Sequence, residues 1–272
     1  MARSQLLRPF PDYLNITTLA DHGAASTYHS FQLTAERRLS HGLTAMISYT
    51  NSKLINDSRS ENSGGGAPGD FRVGNLNRRL DRSINEDDIP QRLVVSAVYE
   101  LPFGKQQKFL ANGGVLSHIV GGWQVNGIGT FQSGDPLAVR GANNFTGINW
   151  PNVVGDPTLP ESERTVTRWF NTDMFRNPAN FTIGNVGRVL PNTRGPGLGV
   201  IDFSVFRNIS FSEQTKLEFR GEFFNLLNQV NYGNPNVTFS PNAQGTNTNA
   251  NFGRITTALP ARRIQLGIRL TF

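Results

Sequence analysis

The sequence has no cysteine, only four histidines, and no apolar run approaching the roughly 18 residues that a membrane-crossing helix needs. Without cysteine there are no disulfides, no thiolate metal sites and no Cys nucleophile. His22, His29, His41 and His118 are scattered, and no His-x-x-x-His pair supplies ligand spacing, so surface or rim positions suit them better than a metal centre. The start of the chain offers only two adjacent leucines before Arg8 and Pro9, too few for a signal-peptide core. Gly64 to Gly69 lacks the Lys-Ser/Thr ending of a phosphate loop, Gly195-Pro-Gly-Leu-Gly199 lacks the dinucleotide fingerprint, and no Gly-x-Ser-x-Gly elbow occurs. No catalytic residue, metal or cofactor is therefore expected, and the chain does not read as an enzyme.

Composition alone would suggest a water-soluble protein, with 37% hydrophobic residues and a mean hydropathy of −0.35. A transmembrane β-barrel gives the same averages, because its apolar residues occupy every second position. The net charge of +6 raises nucleic acid as a partner. The basic residues, however, are spread from Arg3 to Arg269 rather than clustered, and no nucleic-acid partner is expected.

What the sequence does contain is alternation. In the last twelve residues Ile264, Leu266, Ile268, Leu270 and Phe272 alternate with Arg263, Gln265, Gly267, Arg269 and Thr271, giving a strand with one apolar and one polar face. The pattern recurs over 28–39, 43–50, 92–101, 123–132 and 201–209, where Arg207 is the awkward member of an apolar face. It is sharpest where Leu217, Phe219, Gly221 and Phe223 oppose Lys216, Glu218, Arg220 and Glu222. That makes seven strands. Ser40-His41-Gly42 reads as a tight hairpin turn, 52–90 as a long polar segment, 133–199 as irregular with one short helix near Glu161 to Phe170, and 225–259 as a third long loop.

The connections carry the next step. They run short, long, moderate, long, short, long, so an antiparallel meander places the short ones on one side and the long ones on the other. This is the outer-membrane arrangement of short periplasmic turns and long extracellular loops. The last strand then runs inward and leaves Phe272 at the periplasmic rim. A one-residue slip of that strand would turn Arg263 and Arg269 toward lipid at up to about 2–4 kcal/mol each, depending on depth. The reading is an all-β, antiparallel up-and-down transmembrane barrel segment of seven to eight strands, open as a fragment, with long extracellular loops. Residues 1–27 form a loop remnant and 28–272 the barrel part. Leu217, Phe219, Phe223, Ile264, Leu266, Ile268 and Leu270 face lipid; Lys216, Glu218, Arg220, Glu222, Arg263 and Arg269 face the lumen.

Several stretches resemble a known family in order and spacing. Tyr28 to Leu43, Val98-Tyr-Glu-Leu-Pro-Phe-Gly, Gly121-Gly-Trp-Gln-Val-Asn-Gly, Arg194-Gly-Pro-Gly, Glu218-Phe-Arg-Gly-Glu-Phe-Phe-Asn-Leu-Leu-Asn and Leu266-Gly-Ile-Arg-Leu-Thr-Phe resemble the C-terminal barrel part of Oar-like TonB-dependent receptors. The resemblance implies a barrel of roughly 22 strands, an N-terminal plug inside it, and energised uptake of a large or scarce solute through the TonB complex. It also implies that the terminal Phe272 is read by the barrel-assembly machinery. This chain shows no plug and no TonB-contact segment, so Met1 is expected to begin within an extracellular loop of a longer ancestor. The chain is then expected not to transport alone, its partners being outer-membrane lipid and the missing N-terminal strands and plug.

Some features stay open at this point. Glu86-Asp87-Asp88 with Asp81 is either a Ca²⁺ site or a solvated acidic loop. The charged face around Lys216 to Glu222, with Arg263 and Arg269, either selects a solute or forms a salt-bridge ladder. Trp150, Trp169 and Phe170 either stack on a sugar or aromatic ligand or pack the loop on itself. Tyr49, Tyr99 and Trp123 read as interfacial aromatics. Two alternative architectures use the same strands. One is a self-standing or oligomeric outer-membrane barrel; the other is a soluble β-sandwich carbohydrate-binding module, which predicts that the apolar faces meet in one buried core.

Overall fold

The computed structural model describes residues 3–6, 10–13, 25–57, 81–104, 107–143, 145, 149–212 and 214–272. Alternating apolar and polar residues form the long strands: β1 (Ser26–Ser40), β2 (Leu43–Asn56), β4 (Gln91–Glu100), β5 (Trp123–Gln132), β8 (Leu198–Ser210), β9 (Lys216–Phe224) and β10 (Arg263–Thr271). Two-residue strands β3 (Ser83–Ile84), β6 (Asn152–Val153) and β7 (Phe175–Arg176) complete the set, with short helices α1 (Arg3–Leu6) and α2 (Val115–Val120). The main sheet runs β1-β2-β4-β5-β8-β9-β10, with β3 also on β2, and every pairing is antiparallel. Within the described residues the sheet does not close, and β1 and β10 are its two edges.

The strands expected from alternation all appear, mostly longer by one to six residues. The extensions have a cause. β2 continues to Asn56 because β1 and then β3 pair with it beyond the end of β4, Ile55 opposing Ile84. The tight turn expected at Ser40 to Gly42 is a two-residue hairpin with His41 at φ 53° and Gly42 at φ 80°. Positive φ at both central residues twists the turn the way the strands twist. A side chain at Gly42 would also strike the Glu100 carbonyl, 2.8 Å from where its Cβ would lie.

Register carries the alternation from strand to strand. On one face Leu266 opposes Gly221, Gly221 opposes Val205, Val205 opposes Val125, and Val125 opposes Tyr99. A second row runs from Val95 to Ile47 to Ala35. This apolar face is not covered by the protein: Leu33 is 57%, Ile268 71% and Leu266 80% exposed. The soluble sandwich reading fails here, because its apolar faces would have met in a shared core.

The buried core lies elsewhere. Trp150, Phe170, Val139 and Val186 are fully buried, with Phe175, Phe239 and Phe252 nearly so, and all come from the connections that follow β5 and β9. Phe252 meets Phe170, Phe175 and Phe239 edge-on, with ring centroids 5.3–5.8 Å apart, a favoured geometry for aromatic pairs. The stretches expected to be irregular thus fold into a packed globule. The short helix expected between Glu161 and Phe170 is only a 3-10 turn, Glu161–Glu163. Most of the 1–27 loop remnant and all of Gly64 to Gly69 lie outside the described residues.

Candidate functional site

The polar face of the sheet gathers the charged side chains expected there. Glu222, Arg220, Glu218 and Lys216 alternate along β9, and β10 sets Arg269 opposite Glu218, Gln265 opposite Glu222 and Arg263 opposite Phe224. Arg220 lies 2.9 Å from Glu218 and 3.9 Å from Glu222, and its guanidinium stands 5.0 Å from the centre of the Phe206 ring. Arg220 thus bridges two carboxylates of its own strand, so that among the described residues this ladder runs along β9 rather than across to β10. Each of these groups keeps appreciable solvent exposure, and such pairs contribute at most about 1 kcal/mol. The ladder leaves the carboxylates within reach of solvent, where a solute could also meet them.

The seven apolar residues named on β9 and β10 share the opposite face, with Ile264, Leu266, Ile268 and Leu270 directly opposing Phe223, Gly221, Phe219 and Leu217. Phe272 is 94% exposed, one residue beyond Thr271, which pairs with Lys216 next to the β8–β9 turn. Tyr49, Tyr99 and Trp123 fall on the apolar face by register. Arg207 does too, and the structure accounts for it. It opposes Trp123 and Phe219 near the end of β8, places its guanidinium 5.5 Å from the Trp123 ring, and donates to the His118 carbonyl. An arginine stem can lie on apolar surface when its head finds such partners at the rim.

At the long-loop end, the globule is tied to the sheet by three arginines, of which Arg188 is buried and Arg140 and Arg194 are partly so. Arg194 donates to the Asp88 carboxylate at 2.5 Å and to its carbonyl at 2.8 Å, while the Leu54 amide donates to the other carboxylate oxygen at 2.6 Å. Arg188, 2% exposed, donates to the Asn56 side chain and to the Asn56 and Asp81 carbonyls. Arg140 spans Trp150, whose ring centre is 4.7 Å away, and Glu86 at 3.8 Å. A charge taken out of water needs such a partner. The calcium reading of the acidic run is corrected by this, and the solvated reading holds for Asp87 but not for Asp81 and Asp88. Asp81 and Asp88 are neither solvated nor gathered as calcium ligands; no group of three or more acidic or histidine side chains with metal-binding spacing occurs among the described residues. The ligand-stacking role fails for Trp150 and Phe170, which are buried, and Trp169 packs beside them with its indole N–H on the Arg194 carbonyl at 2.7 Å.

Arg140, Arg188 and Arg194 were not singled out in the sequence. Only Arg194 carried a signal, as the first residue of the Arg-Gly-Pro-Gly stretch. Asn225 and Asn228 complete the Glu218 to Asn228 motif in physical terms. Both adopt positive φ, of 53° and 51°, where Asn is tolerated. Asn225 receives the Gln229 amide on its side chain, and its own amide donates to Asp202, so the end of β9 turns sharply into the loop. Elsewhere in the globule Asp156 accepts from Thr158, which holds its carboxyl below the usual carboxylate range.

Two cavities open where the globule meets the polar face. One, of about 280 Å³, is bounded by Tyr28, Gln32, Thr50 and Arg92. The other, of about 540 Å³, is bounded by Glu86, Gln132, Asp135 and Asn234, and both share Asp87, Ile89 and Arg92. Together they form a polar mouth over β1, β2, β4 and β5, with Arg92 lining both.

The apolar band exposed across seven strands, the alternation of short and long connections and the polar inner face are those of a membrane β-barrel wall. No curated protein and no solved structure matches the chain. A family described as an outer membrane beta barrel domain matches residues 1–265, which is nearly the whole chain. The chain therefore belongs to the outer membrane beta barrel domain family and is a protein of the outer membrane.

Proposed function

We propose that the chain is a wall segment of a TonB-dependent receptor of the Oar-like kind, taking part in energised uptake of a large or scarce solute, and that it works only with further strands and a plug. In this reading Leu217, Phe219, Phe223, Ile264, Leu266, Ile268 and Leu270 meet lipid. Lys216, Glu218, Arg220, Glu222, Arg263 and Arg269 face the lumen, and Phe272 is the signal for the barrel-assembly machinery. The chain has no catalytic role, and TonB engages the plug. The observation that carries the reading is the exposed apolar band, held in register from β1 to β10.

The edges bear on how the wall is completed. β1 runs toward the short-turn side, entering the His41-Gly42 hairpin, and β10 runs the same way from the long 225–262 connection. An edge-to-edge joint between β10 of one copy and β1 of another would therefore be parallel. An all-antiparallel wall needs additional strands whose first and last members both run opposite to these edges; the seven described strands of a further copy begin and end in the same direction as β1 and β10, so each joint stays parallel. This favours a different polypeptide segment over a ring of identical copies.

Tagged chain extracted from outer membranes in mild detergent tests the reading. It should co-purify with a polypeptide carrying further barrel strands and a plug, and the assembly should migrate in a heat-modifiable form. A heat-modifiable ring containing this chain alone would reject it and establish the oligomeric barrel instead.

A further inference from the structure

The β4–β5 connection carries a feature that the barrel wall does not require. α2 (Val115–Val120) lies on the same side as the His41-Gly42 and 211–215 turns, at the periplasmic end of the sheet. Its polarity is inverted relative to an ordinary surface helix. Ser117 is its buried residue, 4% exposed, whereas Val115, Leu116 and Ile119 are 76%, 64% and 57% exposed. At about 100° per residue these three occupy a single arc of the helix, centred well away from Ser117. Phe109 and Leu110, 48% and 40% exposed, add to the apolar surface just before it. In water such an arrangement gives no reason for the aliphatic side to point away from the protein.

The place of α2 on the wall supplies the reason. Its C-terminal end is joined to the apolar face of the sheet, not the charged one. Trp123 and Arg207, both on that face by register, reach it: the Trp123 indole donates to the Ile119 carbonyl at 3.2 Å, and the Arg207 guanidinium donates to the His118 carbonyl. Gly121 donates its amide to the Ser117 carbonyl at 3.0 Å. A side chain at Gly121 would collide with that same oxygen, so only glycine lets the chain turn back into β5 here. Successive carbonyls of the last turn, which a helix normally leaves for water, are thus satisfied by the protein itself. A helix end with that property can leave water without the desolvation cost that excludes most backbone from lipid.

We infer that α2 is an interfacial anchor, lying along the periplasmic leaflet of the outer membrane with Val115, Leu116 and Ile119 among the phospholipid acyl chains. It extends the apolar belt sideways at its lower rim, with Trp123 and Arg207 as the joint. Phospholipid is the occupant because the helix end is joined, through Trp123 and Arg207, to a face that already belongs to the membrane. The inference rests on that membrane reading of the apolar face. Arg207, a cation on this part of the face, has its head at the His118 carbonyl of α2, where a headgroup boundary would stand.

The absence of cysteine makes the test direct. Single variants Leu116→Cys, Ile119→Cys, Leu266→Cys and Gln214→Cys are assembled into outer membranes as the full chain and labelled with a nitroxide. Collision rates with dissolved oxygen and with a water-soluble nickel chelate are then compared. Leu116 and Ile119 should resemble Leu266, with oxygen favoured over the chelate several-fold more than at Gln214, which stands for the aqueous turn. If Leu266 reads as lipid-exposed while Leu116 and Ile119 match Gln214, the helix lies in water and the inference is wrong. If Leu116 and Ile119 are shielded from both probes, a protein partner covers the helix and the inference is also wrong. A Leu266 that reads as aqueous would overturn the membrane face itself, and the anchor with it.

Discussion

The sheet and the loop globule are built from one chain and treat apolar side chains in opposite ways. Among the described residues, every buried hydrophobic side chain lies in 137–190 or at Phe239 and Phe252, and none lies on the seven long strands. The strands instead expose theirs, in register, on a single face. The difference teaches that burial within the protein marks the core only where water is the solvent. The globule excludes water by packing Phe252 against Phe170, Phe175 and Phe239; the wall leaves Leu266 uncovered, and in the proposed setting lipid does the same for it.

The sharpest way to break the comparison is to disturb each solvent regime separately. Phe252→Ala deletes the ring at the centre of the aromatic cluster, and a Phe to Ala change in a packed core costs about 3–5 kcal/mol. External protease should then cut within 133–197 or 225–262 on intact cells, while the heat-modifiable mobility of the barrel is retained. Loss of both together would show that the wall depends on the globule. Leu266→Arg probes the other regime. On an 80% exposed position in water it would be nearly neutral, within about 0.5 kcal/mol. In a lipid-facing strand it should cost about 2–4 kcal/mol near mid-depth, seen as a lower urea midpoint and poorer recovery in outer-membrane fractions.

A third change bears on the joint between the two regions. Asp88→Asn keeps the shape of the side chain but removes the charge that faces Arg194 and leaves that guanidinium with a weaker acceptor. Disturbing a partner of this kind costs about 1–3 kcal/mol, toward the lower end here because Arg194 keeps 23% side-chain exposure. The loop should become more protease-sensitive than in the native chain but less than in Phe252→Ala. An effect as large as that of Phe252→Ala would mean that the globule has no independent stability.

How much of this was legible in the sequence follows from the range of the interactions. Strands with alternation could be read locally, because residues two apart share a face, and the charged and apolar sides of β9 and β10 follow from it. The globule could not. Trp150, Phe170, Phe239 and Phe252 have no common period and come together from two loops separated by β8 and β9. Asp88 looked like a solvated or metal-binding carboxylate because its partner, Arg194, stands 106 residues away. α2 escaped because six residues between glycine pairs carry too little periodicity, and its exposed side is the apolar one. Arg207 broke the pattern of its strand and was informative for that reason, since the residue that did not fit marked the place where another element docks.

The smallest expected effect concerns the charged face, and it separates the two roles left open for it. Glu218→Gln removes the closer of the two carboxylates beside Arg220, which still has Glu222 at 3.9 Å and the Phe206 ring at 5.0 Å. If the ion pairs along β9 only steady the wall, the change should shift stability by no more than about 1 kcal/mol, and less in high salt, because exposed pairs are screened. Ion selectivity of the assembled barrel in a planar bilayer would then stay where it was. If Glu218 also meets the passing solute, stability should again barely move, but selectivity should shift toward anions, since one negative charge has left a face that also carries Lys216, Arg220, Arg263 and Arg269. A selectivity change with stability intact assigns the face to transport, and the reverse assigns it to the wall.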